Sequence, residues 1–419
     1  MRFLKHSNHK DVISNFFWRI TQILGKQGVN FFIFILCARL LTTYEFGIYN
    51  YVLAITFFLI LFGDFGISAA ASKYVAEYNI KDKDKIKYIL FNSAILLLAL
   101  TIIISVLTLI FGQFYLKENY LYAVYLLPLI FIAPMTSLYD GIYRGLKKFK
   151  HLAIISTSTG IVFLFIVYIL INKYGLIGAL VSQNLFYLTM LIGLSLGYRE
   201  FNFKFDSSII KEIGKYSTII GFGALGYFLY SRLGTIILGH FNYIEEISYF
   251  ELINKIFITA SIAFSVLGQV IAPDITKKAA LNNYSSIKKS YLKYFILILS
   301  ISLILAVFGY YALPVIVKYA LPNYYTQEFF YMFNVLIFTF PLTMISQFMG
   351  QSFMIATGKA KYSLLTIPFG ILNIILAYIF IISFGYIGVV YSILIVSTMN
   401  RLLTWALLYK EFSKNEKTS

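Results

Sequence analysis

Twelve apolar segments of helical length dominate the sequence. A helix that crosses a bilayer needs about 20 apolar residues, whereas a strand of a membrane barrel needs only about 10 that alternate with polar ones. The composition agrees with helices in a membrane, because 59% of the residues are hydrophobic and 13% are charged, against about 25% charged in a soluble domain. We therefore predict an all-α integral membrane protein with these spans: 12–40, 46–70, 87–112, 119–142, 152–172, 175–197, 215–239, 246–271, 291–317, 325–354, 363–383 and 385–409.

The distribution of Lys and Arg predicts the orientation of the chain. Cytoplasmic loops of helical membrane proteins hold the excess of basic residues. One set of alternating segments, from Arg2 to Lys417, contains 26 of them, whereas the other set contains only Lys117, Lys173 and Lys318. We therefore expect a multi-pass membrane protein with both termini in the cytoplasm. The net charge of +17 follows from this topology, and charges dispersed over short loops beside a membrane argue against nucleic acid as a partner.

Weak internal similarity divides the chain into two halves. In YGLIGA (174–179) and FGYIGV (384–389), Gly175 pairs with Gly385 and Gly178 with Gly388 at an offset of 210. Many transporters are built from such repeats, and two parallel repeats are related by an axis along the membrane normal with a cavity between them. We predict two parallel six-helix bundles around a central cavity, formed by residues 1–205 and 206–419.

A polar stripe runs along the first predicted span. At about 100° per residue, Asn15, Arg19, Gln22, Lys26 and Asn30 fall within roughly 80° of one another on the helix surface. Charges that face lipid are costly, so this stripe is expected to face protein or water. The alternative is that Arg19 reaches the headgroups and Lys26 pairs with a neighbouring helix. We predict a substrate-binding cavity lined by Arg19, Gln22, Lys26 and Asn30.

The second half contributes two further cations to the predicted cavity, Arg232 and Lys255. Glu251 can neutralise Lys255 one helical turn away, or Arg232 across the bundle, which is the structural alternative. The acids that we place clearly within spans are Glu251 and Asp64, so an excess of positive charge remains. Such an excess in a water-filled cavity suits an anionic ligand such as a phosphate or a pyrophosphate.

Few other residues indicate a site for ion coupling, metal binding or catalysis. Asp64, in GDFG, is a candidate coupling-ion carboxylate for H⁺ or Na⁺, although an acid beside glycines at a helix end is more often a structural contact. Cys37 is the single cysteine, which excludes an internal disulfide and a multi-thiolate metal site. The four histidines are scattered without metal-ligand spacing. We expect no cofactor, no metal and no catalytic residue.

Three stretches of the sequence carry a family resemblance: ARLLTTYEFGIYNY (38–51), DFGISAAASKYVAEY (64–78) and YRGLKKFKH (143–151). They resemble the Wzx-type polysaccharide flippases of the multidrug/oligosaccharidyl-lipid/polysaccharide exporter superfamily. Since that family also has twelve spans in two halves, the resemblance covers nearly the whole chain.

The resemblance implies an activity, a site and partners. The activity is movement of an undecaprenyl-pyrophosphate-linked oligosaccharide repeat unit, of O-antigen or a related surface polysaccharide, from the cytoplasmic to the outer face of the inner membrane by alternating access. Basic positions of the first, seventh and eighth helices, here Arg19, Lys26, Arg232 and Lys255, would line its cationic cavity. Membrane lipids and the polysaccharide polymerase machinery are further expected partners.

Other function classes fit the sequence less well. A polymerase or ligase needs a site for glycosyl transfer, usually in a substantial outer loop, and every predicted outer loop is short. A multidrug or cation antiporter of the same superfamily needs acids in its cavity, whereas the first span offers Arg19 and Lys26. A flippase of peptidoglycan lipid precursors is the remaining alternative, although that family typically has two extra helices.

Overall fold

The computed structural model describes residues 9–198 and 202–418, without the side chains of residues 9–17, 19, 20, 24, 26, 417 and 418. The chain forms two compact units. The N-terminal unit comprises residues 1–41 and 48–225, and the C-terminal unit comprises residues 42–47 and 226–419. Helix α8 continues across residue 225, and the domain boundary predicted from the repeat, at residues 205 and 206, stays a prediction.

The N-terminal unit is built from helices α1 and α3 to α7 and from most of α2 and α8. Their bounds are α1 His9–Leu40, α2 Thr43–Asp64, α3 Ile67–Lys81, α4 Ile86–Leu116, α5 Tyr120–Tyr125, α6 Leu127–Gly145, α7 Phe149–Leu196 and α8 Ser207–Ser231. Within this unit α1 packs along α7, and α6 packs against α3, α4 and α7. Helix α8 begins after Asp206, whose carboxylate accepts hydrogen bonds from the hydroxyl and backbone N–H of Ser208. These bonds hold the pKa of Asp206 below its ordinary value, since they favour the charged form.

The C-terminal unit contains the start of α2, the end of α8 and seven further helices. Their bounds are α9 Leu233–His240, α10 Ile244–Ala280, α11 Tyr284–Ala320, α12 Gln327–Leu336, α13 Thr339–Met349, α14 Thr366–Phe384 and α15 Tyr386–Thr418. A π-helical segment, Gly350–Ile355, continues α13, and a 3₁₀ segment, Ala360–Leu365, precedes α14. Here α13 packs between α10 and α11, and α14 packs along α15.

The helices agree with a chain of about twelve spans. Eight helices in the described part of the chain are long and apolar enough to cross a membrane, and two bent pairs, α8 with α9 and α12 with α13, raise that number to ten. Helix α7 has 48 residues and leaves the helical conformation at Gly175, so it supplies two spans. Helix α6 overlaps the predicted span 119–142. The all-α membrane fold predicted from the sequence is confirmed.

The glycine pairs of the internal repeat adopt matching conformations in the two units. Gly175 has φ 55° and ψ −131°, and Gly385 has φ 65° and ψ −151°. These angles lie in a region that side chains with a Cβ rarely enter. A Cβ at Gly178 would lie 2.0 Å from the carbonyl oxygen of Leu170, and one at Gly388 would lie 2.2 Å from that of Phe380. Each unit therefore turns from one span into the next through the same tight corner.

Small residues also set the packing inside the N-terminal unit. A Cβ at Gly141 would lie 2.5 Å from the carbonyl oxygen of Ser68, and one at Gly145 would lie 2.6 Å from that of Ser72. Glycines four residues apart allow two membrane helices to approach backbone to backbone. This contact holds α6 against α3 and positions the polar residues of α6 described below.

Candidate functional site

The polar stripe of the first span lies on one continuous helix, α1, which packs along α7. Gln22 is buried, with 3% of its surface exposed, and Asn30 is partly exposed. The side chains of Asn15, Arg19 and Lys26 lie outside the described residues. The prediction that Arg19 and Lys26 face a cavity therefore stays a prediction.

Gln22 contacts an acid that the sequence analysis missed, Asp140 on α6. The Gln22 Nε2 donates to Asp140 Oδ1 at 3.3 Å, and Arg144 Nε lies 2.8 Å from Asp140 Oδ2. Asp140 falls two residues inside the predicted span 119–142, so counting every acid in the spans would have found it. The stripe of α1 is thus tied to α6 through a hydrogen-bonded carboxylate.

Asp64 lies at the end of α2 and makes local contacts. Its Oδ1 accepts hydrogen bonds from the backbone N–H of Ser68 at 2.9 Å and from the Ser68 hydroxyl at 2.6 Å. Arg144 also interacts electrostatically with Asp64. The hydrogen bonds satisfy a donor in the first turn of α3, as a capping residue does. They agree with the structural reading of Asp64, and its role in ion coupling stays a prediction.

Arg232 and Glu251 form an ion pair within the C-terminal unit. Arg232 Nη1 lies 3.0 Å from Glu251 Oε2, and 6% of the Glu251 side chain is exposed. The hydroxyl of Thr235 donates to the other oxygen of Glu251. Of the two partners considered for Glu251, the structure thus provides a direct ion pair with Arg232.

Arg232 occupies the break between α8 and α9, where the two helix axes differ by 55°. Interrupted helices of this kind recur at the binding sites of membrane transporters. Lys255, one turn after Glu251 on α10, interacts electrostatically with both Glu251 and Arg232. The structure therefore brings two of the four predicted cations together around one carboxylate and leaves this group with a net positive charge.

A third cation in the C-terminal unit was missed by the sequence analysis. Arg401 lies within the predicted span 385–409, 15 residues after Tyr386, where α15 begins. Because a helix rises 1.5 Å per residue, Arg401 is about 22 Å along a span that crosses about 30 Å of hydrocarbon. An ionisable residue at such a depth is itself a signal of function. A search for basic residues inside all twelve spans would have found it.

Arg401 borders a cavity of about 370 Å³ that lies wholly within the C-terminal unit. Helices α8, α10, α13 and α15, the π-helical segment and the 3₁₀ segment all contribute to its wall. The wall carries mostly uncharged hydrogen-bonding groups and aromatic rings, including those of Asn254, Gln347, Asn400 and Trp405. Polar groups converge here inside a membrane-spanning bundle, a setting typical of small-molecule sites.

Solved structures with a similar fold are membrane transporters. An inward-facing multidrug resistance MATE family transporter of the MOP superfamily matches with a TM-score of 0.77 at 17% identity, over 96% of this chain and 99% of that one. The lipid II flippase MurJ in an inward closed conformation matches with a TM-score of 0.73 at 18% identity, over 98% and 90%. A MOP superfamily transporter from Pyrococcus furiosus matches with a TM-score of 0.57 at 17% identity, over 97% of both chains. These matches establish the fold.

Sequence comparisons identify the family. An uncharacterized membrane protein of Methanocaldococcus jannaschii is 30% identical over 193 residues, which are 45% of this chain and 46% of that protein. The alignment thus spans less than half of the relative's length. The family described as "Polysaccharide biosynthesis protein" matches residues 12–279, more than half of the chain. The chain is therefore a multi-pass membrane protein with the fold of MOP superfamily transporters, and it belongs to the polysaccharide biosynthesis protein family.

Proposed function

We propose that this protein is a flippase that moves an undecaprenyl-pyrophosphate-linked oligosaccharide, a repeat unit of O-antigen or of a related surface polysaccharide, from the cytoplasmic to the outer face of the bacterial inner membrane. The family match over residues 12–279 is the observation that carries this proposal. The fold of alternating-access transporters supports the mode of action.

The charges of the C-terminal unit support an anionic substrate. Away from the ends of its predicted spans, the described side chains include three cations, Arg232, Lys255 and Arg401, and one acid, Glu251. A cation inside a membrane protein is stabilised by a counter-charge, and a transported pyrophosphate would supply one. A carrier of cationic drugs would need the opposite excess.

Lys26 on α1 provides a direct test of the proposal. If Lys26 attracts the pyrophosphate, Lys26→Ala should abolish or strongly reduce surface polysaccharide at near-normal protein abundance. Lys26→Arg should keep part of the activity, because it preserves the charge while changing its geometry. The measurement is complementation of a strain that lacks its polysaccharide flippase, with surface glycan and membrane abundance read together for each variant.

Lys318→Ala is the matched control, since Lys318 is exposed near the end of α11 and should display normal glycan. Full glycan display by Lys26→Ala at wild-type abundance would contradict a role for this charge in binding. If the wild-type protein instead rescued only a strain depleted of its lipid II flippase, the substrate would be a peptidoglycan precursor and the proposal would be wrong.

A further inference from the structure

We propose that the cavity of the C-terminal unit is a binding site for an anionic saccharide, with Arg401 pairing with an oxyanion of the sugar. This inference rests on the proposed function, because it assigns to this cavity the sugar part of the transported precursor. The oxyanion is the carboxylate of an acidic sugar or the phosphate of a sugar phosphate, two groups that a guanidinium recognises in the same bidentate manner.

Most N–H donors of the Arg401 guanidinium are available to such a ligand. Its Nη1 donates to the backbone carbonyl of Thr339 at 3.3 Å, and the part of the chain that the structure describes gives it no ion pair within 4.0 Å. A guanidinium carries five N–H donors. An arginine inside a span that keeps most of its donors is costly to maintain, and an anionic ligand would compensate that cost.

The wall of the cavity suits a sugar rather than a bare ion. Side-chain amides come from Asn254, Gln347, Gln351 and Asn400, and these groups can both donate to and accept from sugar hydroxyls. Asn400 is only 6% exposed, and its Oδ1 has no hydrogen-bond partner in the described structure. The volume of about 370 Å³ lies within the range of about 300 to 1,000 Å³ typical of small-molecule sites.

The described wall residues include no carboxylate that would repel an anion. A nearby acid, Glu411, accepts a hydrogen bond at 2.7 Å from Tyr362, which does line the cavity. Glu411 is neutralised by Lys359, whose Nζ lies 2.6 Å from its Oε1. The balance of charge around the cavity is therefore set by Arg401.

The backbone of the wall is unusual where the amides converge. Gln351 lies in the π-helical segment Gly350–Ile355, and such segments appear frequently at functional sites. Gly350 also lines the cavity, and a Cβ added there would meet no atom within 4 Å. Its φ of −58° and ψ of −47° are helical, so a larger residue at this position should fill the cavity without distorting the backbone.

Trp405 can report binding by its fluorescence, because it lines the cavity and the chain has only one other tryptophan, Trp18. In full-length purified protein carrying Trp18→Phe, we expect glucuronic acid and glucose 1-phosphate to change the emission of Trp405 in a saturable manner. The two probes distinguish a carboxylate from a phosphate as the recognised group. Arg401→Gln should weaken the apparent affinity for the responding probe by about tenfold or more, the effect of losing a charge-assisted pair, and Arg401→Lys should weaken it less.

Gly350→Leu should abolish the response by filling the cavity. Its matched control is Gly309→Leu, the same change at a position in α11 where a Cβ also meets no atom within 4 Å, and this variant should respond as the parent does. Because Gly350→Leu leaves Arg401 and its bond to Thr339 in place, it tests the site even if Arg401→Gln fails to fold.

Three results would overturn the assignment: glucose binding as tightly as both charged probes, an unchanged response in Gly350→Leu, or an unchanged affinity in folded Arg401→Gln. The outcome is separable from that of the proposed function. If the wild-type protein restores surface glycan in the complementation assay but Trp405 responds to neither charged probe, the saccharide site is wrong and the flippase function stands. If Trp405 responds as expected but no glycan is restored, the site stands and the flippase function is wrong.

Discussion

Glu251 is the carboxylate around which two cations of the C-terminal unit gather. It accepts a hydrogen bond from Arg232 at 3.0 Å and another from Thr235, and it acts electrostatically on Lys255. A buried ion pair contributes little net stability compared with apolar residues, but removing one partner is costly, because it leaves the other charge uncompensated. The Glu251 carboxylate is therefore required to hold this group of charges together.

We predict that Glu251→Gln destabilises the protein measurably. Its loss should lower the free energy of unfolding by about 1 to 3 kcal/mol, less than the cost of about 3 to 5 kcal/mol for a fully buried pair, because 42% of the Arg232 side chain is exposed and water screens it. The measurement is the melting temperature of the purified protein in detergent.

Glu77→Gln is the control for this prediction. Glu77 pairs with Lys81 at 2.6 Å, but 67% of the Lys81 side chain is exposed, and exposed ion pairs contribute little. No measurable shift in melting temperature is expected for Glu77→Gln. Equal shifts for the two variants would show that burial does not govern the contribution of Glu251.

At the scale of elements, the corner between two spans recurs in both units. In the N-terminal unit it divides α7 at Gly175, and in the C-terminal unit it separates α14 from α15 at Gly385. In each case a second glycine, three residues later, packs directly against a backbone carbonyl of the preceding span. Both corners thus require a residue without a Cβ at the same position.

We predict that Gly178→Ala and Gly388→Ala destabilise the protein to a similar extent. Each new Cβ would lie about 2 Å from a backbone oxygen, 2.0 Å at Gly178 and 2.2 Å at Gly388, and the corner cannot relax by rotating a side chain. We expect a loss of about 3 kcal/mol for each, at the upper end of ordinary overpacking. Thermal melting of the purified variants measures the effect.

Gly214→Ala provides the opposite expectation in α8, where a Cβ meets no atom within 4 Å. Alanine is favoured over glycine by about 1 kcal/mol inside a helix, so this variant should melt at or above the temperature of the parent. If Gly178→Ala and Gly388→Ala melted at the same temperature as Gly214→Ala, the tight corners would not constrain the fold.

At the scale of the whole molecule, the excess of basic residues in one set of segments predicts the orientation. Cys37 is fully buried and can be replaced by Ser, which has a similar size and keeps a polar group at this position. In that background, Glu118→Cys should react with a membrane-impermeant thiol reagent in intact cells, and Lys204→Cys should not. Both native residues are exposed in the structure, so reagent access depends on the side of the membrane.

Lysed cells supply the control for this labelling, since both cysteines should react once the membrane is open. Reaction at position 204 but not at 118 in intact cells would reverse the orientation and place both termini outside. Reaction at both positions in intact cells would mean that an even number of spans lies between them, in place of the predicted three.

The sequence by itself determined the kind of fold. Helix-length apolar runs require spanning helices, because a backbone in lipid must satisfy its hydrogen bonds internally. The offset of 210 between Gly175 and Gly385 located corners with the same conformation, since only glycine tolerates those angles at low cost. The sequence also identified the family through stretches at helix ends.

Only the tertiary structure decided which polar groups meet. Gln22 contacts Asp140, which lies 118 positions later in the chain. Glu251 forms its direct ion pair with Arg232, although Lys255 is only one helical turn away on the same helix. The cavity at Arg401 gathers residues from several helices. The length of an apolar run shows whether a helix can span the bilayer. The neighbours of a charged residue, in contrast, depend on which faces of distant helices pack together. That choice follows from steric fit between whole helices, which no local pattern encodes.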